Sequence, residues 1–215
     1  MDFEIILNIF ARWGHVLFGV TWIGILYYFN FIQGGYFKKA TPEGLADAKA
    51  KLAPEALWWF RWAAMFTFIT GVYLLESVYR NHQMNPLIIA GATMGILMFL
   101  NVWLIIWPNQ KIALGMVEGD AAAAGGKALL ASRTNTLFSG PMLFGMLGGP
   151  HFAASGYGYG SPMLTTALYI VLALIAVLEI NAIVGKQGPM TTVRGVIGSS
   201  LALTVIMVAI FTLVK

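Results

Sequence analysis

The 215-residue chain contains no cysteine. That absence excludes disulfides, zinc–thiolate sites and iron–sulfur clusters. It also excludes a covalently attached c-type haem on this chain, which needs a C-x-x-C-H pair of thiols. Charge is scarce too, with 13 Lys+Arg and 9 Asp+Glu making 10% of the residues. Soluble domains carry roughly 25% charged residues, so this chain cannot cover a water-facing surface. With 59% hydrophobic residues and a mean hydropathy of +0.76, a soluble enzyme is excluded and a membrane protein implied. The sequence pI of about 9.4 does not point to nucleic acid, because the basic residues are scattered in ones and twos between apolar runs.

A bilayer core of about 30 Å needs around 20 mostly apolar helical residues. Six such runs occur, near Ile5–Gln33, Leu57–Tyr79, Pro86–Trp107, Asn135–Ala154, Met163–Gly185 and Val193–Val214. The expected fold is therefore all-α, a polytopic transmembrane bundle of about six helices forming one integral membrane domain over residues 1–215. No basic residues precede the first run, Arg12 lies inside it, and it exceeds the length of a signal-peptide core, so it is expected to be retained. With alternating crossings, Lys38, Lys39, Lys49, Lys51, Arg61, Lys111, Lys127, Arg133, Lys186 and Arg194 fall on one side. Arg12, Arg80 and Lys215 fall on the other. The positive-inside bias then places both termini outside the cytoplasm. Trp58, Trp59, Trp62 and Trp107 sit at inner helix ends, where indoles favour the headgroup layer.

In the first inner loop, Thr41-Pro42-Glu43 is a helix-start signature and predicts a short cytoplasmic surface helix near 42–52. The second inner loop, Gln110–Arg133, reads as a helical piece broken at Gly125-Gly126. The outer segment Ser155–Pro162 has turn composition and two tyrosines.

Ionisable residues inside a membrane are functional candidates by default. His15 lies deep in the first run, roughly 15 Å below the outer boundary at 1.5 Å per residue. His151 ends Gly148-Gly149-Pro150-His151 and approaches the same boundary from within. Two histidines in one leaflet on different helices could clamp a haem iron from both faces. Ala11 and Gly19 flank His15 at i−4 and i+4, and Gly148 and Gly149 leave room beside His151. Arg12, one turn from His15, could hold a haem propionate, or it could snorkel outward to the headgroups. The plainer alternative for the histidines is interhelical hydrogen bonding, and for Gly91-x-x-x-Gly95 and Gly145-x-x-x-Gly149 close helix packing. His82 reads as a solvated loop residue. Glu76 has Arg80 at i+4 for an ordinary ion pair. Glu179 either pairs with Arg61 or carries protons for quinone chemistry.

Several stretches together resemble the membrane domain of bacterial cytochrome-c-linked urate oxidases of the PuuD type. They are Arg12-Trp13-Gly14-His15 through Thr21-Trp22-Ile23-Gly24, Trp58-Trp59-Phe60-Arg61-Trp62, Asn101-Val102-Trp103 through Pro108-Asn109-Gln110-Lys111, and Arg133-Thr134-Asn135-Thr136 through Pro141-Met142-Leu143-Phe144 to His151-Phe152. The resemblance covers about residues 10–155. It implies a multi-helix membrane domain, urate oxidation and electron transfer to a cytochrome c. It also implies histidine at the positions of His15 and His151. The family pattern has histidine where this chain has Trp58 and at or near Thr134, and this chain is expected to lack the cytochrome c domain.

The leading expectation is a membrane electron-transfer subunit holding one haem b between His15 and His151 in a bacterial inner or intracytoplasmic membrane. Its partners would be lipid and either a cytochrome c or other subunits of a membrane complex, with no nucleic acid. Three other readings stand beside it: a urate-oxidising enzyme using a separate cytochrome c, a haem-free structural or assembly subunit, and a transporter or channel. The last is weakened by the missing inverted repeat and the scarcity of midplane charge.

Overall fold

A computed structural model describes residues 3–149, 151 and 164–214. Among these, six long helices follow one another: α1 (Phe3–Phe37), α2 (Pro42–Arg80), α3 (Pro86–Ala113), α4 (Ala121–Gly148), α5 (Thr166–Val184) and α6 (Val193–Leu213). Local chemistry sets their starts. Thr41, Asn85, Asp120, Thr165 and Thr192 each accept hydrogen bonds at the N-cap from first-turn N–H groups, worth about 1 kcal/mol apiece. Pro42 and Pro86 stand where a missing N–H costs nothing. Three runs contain a π-turn, at Tyr28–Gln33 in α1, Ala48–Leu52 in α2 and Asn101–Ile106 in α3.

The helices alternate in direction, as paired contacts show. Between α1 and α2, His15 meets Thr67 while Phe29 meets Phe60. Between α2 and α3, Phe68 stacks on Phe99 and Trp62 meets Trp103. Between α3 and α4, Gly91 meets Gly145 and Asn101 meets Asn135. Tyr27 to Ser139 and Asn30 to Ser132 then join α1 to α4 and close a ring of four. Outside that ring, α5 reaches α3 through Glu179 and Asn101, and α6 runs beside α4 through Ser200 and Gly140.

Five of the six helices are long and apolar enough to cross a membrane, and α4 is the exception. It is sheathed by its neighbours, with every residue from Leu130 to Ser139 buried, and it therefore carries Ser132, Arg133, Thr134, Asn135, Thr136 and Ser139 instead of a lipid-facing apolar surface.

Lengths differ by design of the ends. α5 and α6, at 19 and 21 residues, match one crossing, whereas α1 and α2 run to 35 and 39. The surplus lies at the basic end. Arg133 sits level with Thr192, the first residue before α6, so the twelve residues Ala121–Ser132 extend α4 about 18 Å past the end of α6.

Two loop expectations change and a third is untested. The helix expected near 42–52 begins at Pro42 as anticipated, but it is not a separate surface helix. It runs through Ala53 into α2 without a break, because the π-turn at Ala48–Leu52 absorbs the misfit that a loop would have taken. Gly125-Gly126 is no joint either, since α4 is continuous across it. Ala113 of α3 lies 3.9 Å from where a Cβ on Gly125 would stand, so the glycine serves close approach of two helices. The segment Ser155–Pro162 lies outside the described residues.

Candidate functional site

His15 occupies the seam between α1 and α2. Its Nδ1 lies 3.0 Å from the Thr67 carbonyl oxygen and 3.2 Å from Thr70 Oγ1. A carbonyl only accepts, and the Thr70 hydroxyl already donates to the carbonyl of Phe66 or Thr67. Nδ1 therefore carries the proton, and Nε2 keeps its lone pair. Second-sphere carbonyls orient metal-bound histidines in the same way. The imidazole has room because residue 71 is glycine: a Cβ there would stand 3.0 Å from His15 Cε1. Thr67, Thr70 and Gly71 were not singled out from sequence. The signal was present as Thr67-x-x-Thr70-Gly71, two hydroxyls a turn apart followed by a residue without a side chain.

The other expected site residues fall as follows. Gly19 faces α2, with Thr67 Cγ2 at 3.9 Å from its would-be Cβ, so the bare surface of α1 brings the two helices together. Arg12 is exposed and donates from Nε to Asn8 Oδ1 at 2.7 Å, while Asn8 Nδ2 donates to Ser77 Oγ at 2.7 Å. No carboxylate lies within 4.0 Å of Arg12 among the described residues. Gly148 is buried in the last turn of α4, and His151 just beyond it is exposed, its backbone N–H donating to the Gly148 carbonyl at 2.9 Å. His15 is thus fastened to α2, while His151 follows the end of α4, whose last turns pack on α3. No hydrogen bond joins the two histidines among the described residues. His82 is exposed with φ +54° and turns the chain out of α2.

A second polar centre lies nearer the basic end. Asn101 Nδ2 donates to Asn135 Oδ1 at 2.9 Å and to Glu179 Oε2 at 3.2 Å, and Asn135 Nδ2 donates to the Met98 carbonyl at 2.9 Å. The pairing of Glu179 with Arg61 considered from sequence is not made. Arg61 instead stacks on Trp107, 3.7 Å from the ring centroid, a cation–π contact that a half-buried guanidinium gains without a carboxylate. Glu76 and Arg80 do form the expected pair, at 2.9 Å. Among the described residues, the buried polar side-chain atoms without a partner include Trp22 Nε1, Asn30 Oδ1, Gln33 Oε1, Arg61 Nη1, Trp103 Nε1 and Arg133 Nε.

The family model for the urate oxidase N-terminal region matches residues 82–211, more than half of the chain. The chain belongs to this family. The match takes in α3 to α6, of which α5 and α6 lie beyond the stretches that carried the resemblance, and it leaves α1, α2 and His15 outside. No curated protein and no solved structure matches the chain. It is accordingly a urate-oxidase-like membrane domain, with the Asn101–Asn135–Glu179 centre inside the family's matched region.

Proposed function

We propose that this membrane domain is an electron-transfer subunit, set in a bacterial inner or intracytoplasmic membrane, that carries one b-type haem on His15 and His151. The observation that supports it is the hydrogen bond from His15 Nδ1 to the Thr67 carbonyl, which selects the Nδ1–H tautomer of the neutral ring and so presents Nε2 as the nitrogen able to ligate iron. Thr70 and Gly71 fix the ring's orientation. His151 is exposed and so open to coordination. Arg12 is tied to Asn8 through Nε, and among the described residues its terminal nitrogens remain to offer a propionate. A haem bound there supplies one-electron exchange, with an external cytochrome c or a larger oxidoreductase as the other party.

A pyridine haemochrome spectrum of the detergent-purified protein tests the reading. The expected result is one haem b per chain, with His15→Ala and His151→Ala each losing the low-spin spectrum and His82→Ala keeping it. A haem-free wild type, or both single variants with unaltered spectra, overturns it. The bonds from His15 to Thr67 and Thr70 are then interhelical pins of a structural subunit.

A second reading, urate oxidation with a separate cytochrome c, draws on the family match and on the buried amides and half-buried carboxylate of the Asn101 centre. Urate-dependent reduction of added cytochrome c by the purified membrane protein decides it.

A further inference from the structure

The linker from α5 to α6 turns the chain around at the basic end, and its geometry is fixed. Asn181 clamps the backbone of Lys186, donating from Nδ2 to its carbonyl at 3.0 Å and accepting from its N–H at 3.3 Å. A 3-10 turn over Gly188–Thr191, entered through φ +52° at Gly188, folds back so closely that a Cβ on Gly195 would meet the Pro189 carbonyl. Thr192 then caps the 21-residue α6, accepting from Gly195 N–H. The N–H groups of Val193 and Arg194 keep the unpaired state of a first helical turn and the positive end of its dipole.

Arg133 reaches this helix start from α4. It is 8% exposed, its Nη1 lies 3.5 Å from the Thr192 carbonyl, and its Nε has no partner. No carboxylate is within 4.0 Å of it among the described residues. From residue 180 to the C-terminus the sequence contains no Asp or Glu, while Lys186 and Arg194 are both exposed around the turn. One helix start is thus met by Arg133 and flanked in the chain by Lys186 and Arg194, none of which forms an ion pair among the described residues. A buried guanidinium left so is costly unless an anion completes it.

The depth identifies that anion. α6 begins its apolar run at Val193 and α5 ends its own at Val184, so the turn lies at the hydrocarbon boundary, where lipid phosphates are concentrated. Beside it, Ile183 and Val184 are 59% and 78% exposed and Leu201 is 63% exposed, an apolar wall that an acyl chain covers and a free phosphate does not use.

We propose that the Arg133–Lys186–Arg194 turn binds the phosphate of an anionic lipid, a site independent of the haem reading. The test is thermal unfolding of the delipidated full chain in neutral detergent, with phosphatidylglycerol, phosphatidylcholine or inorganic phosphate added separately. Phosphatidylglycerol should raise Tm by several degrees at low mole fraction and remain as one retained lipid in native mass spectrometry. Phosphatidylcholine and inorganic phosphate should do neither. Arg133→Gln should weaken the lipid effect at least tenfold. Because Arg133 is buried, the exposed double variant Lys186→Gln/Arg194→Gln gives the same readout in a chain whose core is untouched. Equal shifts from the two lipids, or an unchanged response in the double variant, overturn the proposal. An equal shift from inorganic phosphate assigns the turn to a soluble phosphate and overturns the lipid.

Discussion

The same substitution at two glycines of α4 should change stability in opposite directions. At Gly145 a Cβ would stand 2.7 Å from the Leu87 carbonyl oxygen and 3.1 Å from both Cα and N of Gly91. All three are backbone atoms of α3, which cannot rotate aside as a side chain would. Inserting a methyl group into so tight a contact costs about 3 kcal/mol, the upper part of the overpacking range, because the helices themselves must part. Alanine returns about 1 kcal/mol of helix propensity, leaving a net loss of about 2 kcal/mol. At Gly126, an exposed position on the part of α4 beyond the end of α6, nothing lies within 4 Å of the would-be Cβ. There the propensity gain stands alone, about 0.5–1 kcal/mol. For a chain of this size 1 kcal/mol moves Tm by about 2–4 °C. Thermal unfolding in detergent, followed by tryptophan fluorescence, should therefore show Gly145→Ala lower by about 4–8 °C and Gly126→Ala higher by about 1–4 °C. Shifts of the same sign would refute the argument that α3 and α4 are joined by backbone contact.

Other outcomes follow from the same packing. Asn135→Ala should cost about 1–3 kcal/mol, since membrane hydrogen bonds average about 0.6 kcal/mol and reach about 1.7, and two are lost at a fully buried position; denaturant unfolding measures it. Glu179→Gln should cost much less on the same assay, because the amide keeps an oxygen to accept from Asn101. A periplasmic reporter fused after Lys215 should be active and one fused within Lys38–Lys51 inactive; the reverse would invert the topology read from the basic residues.

Much of the architecture could be read from composition, because spans that face lipid must be apolar over a fixed length. α1, α2, α3, α5 and α6 obey that rule. α4 was found only by its C-terminal half, expected at Asn135–Ala154 and observed from Ala121, because its buried middle is polar and its first turns lie beyond the end of α6. The loop readings failed for a related reason. A glycine pair or a Thr-Pro-Glu start encodes a local preference, whereas continuity at Gly125 goes with the approach of Ala113 of α3, and continuity through Ala53 with the π-turn at Ala48–Leu52. At the candidate site, His15 could be named from its type and depth, but its partners could not. Thr67, Thr70 and Gly71 are ordinary residues of an apolar helix until the register of α1 against α2 is known.

The polarity of α4 has a cause in the helices around it. A π-turn disturbs the regular i→i−4 ladder and alters how its carbonyls are used, and in hydrocarbon there is no water to take up the slack. At the π-turn of α1 the Leu26 carbonyl accepts from Asn30 Nδ2, which also donates to Ser132 of α4. At the π-turn of α3 the Met98 carbonyl accepts from Asn135 Nδ2 of α4, and Asn101 extends the contact to Glu179 of α5. The π-turns of α1 and α3 thus each meet a polar side chain at the same buried stretch of α4. Apolar replacements there would strand amides and a carbonyl on α1 and α3 together, which is why this stretch is polar and enclosed. The family match begins at residue 82 and contains the Asn101, Asn135 and Glu179 part of this arrangement but not His15. The histidine and the amide centre are therefore separable by experiment: loss of haem on changing His15 with the α3–α4–α5 contacts intact would show that haem binding and the amide centre are independent features of the bundle.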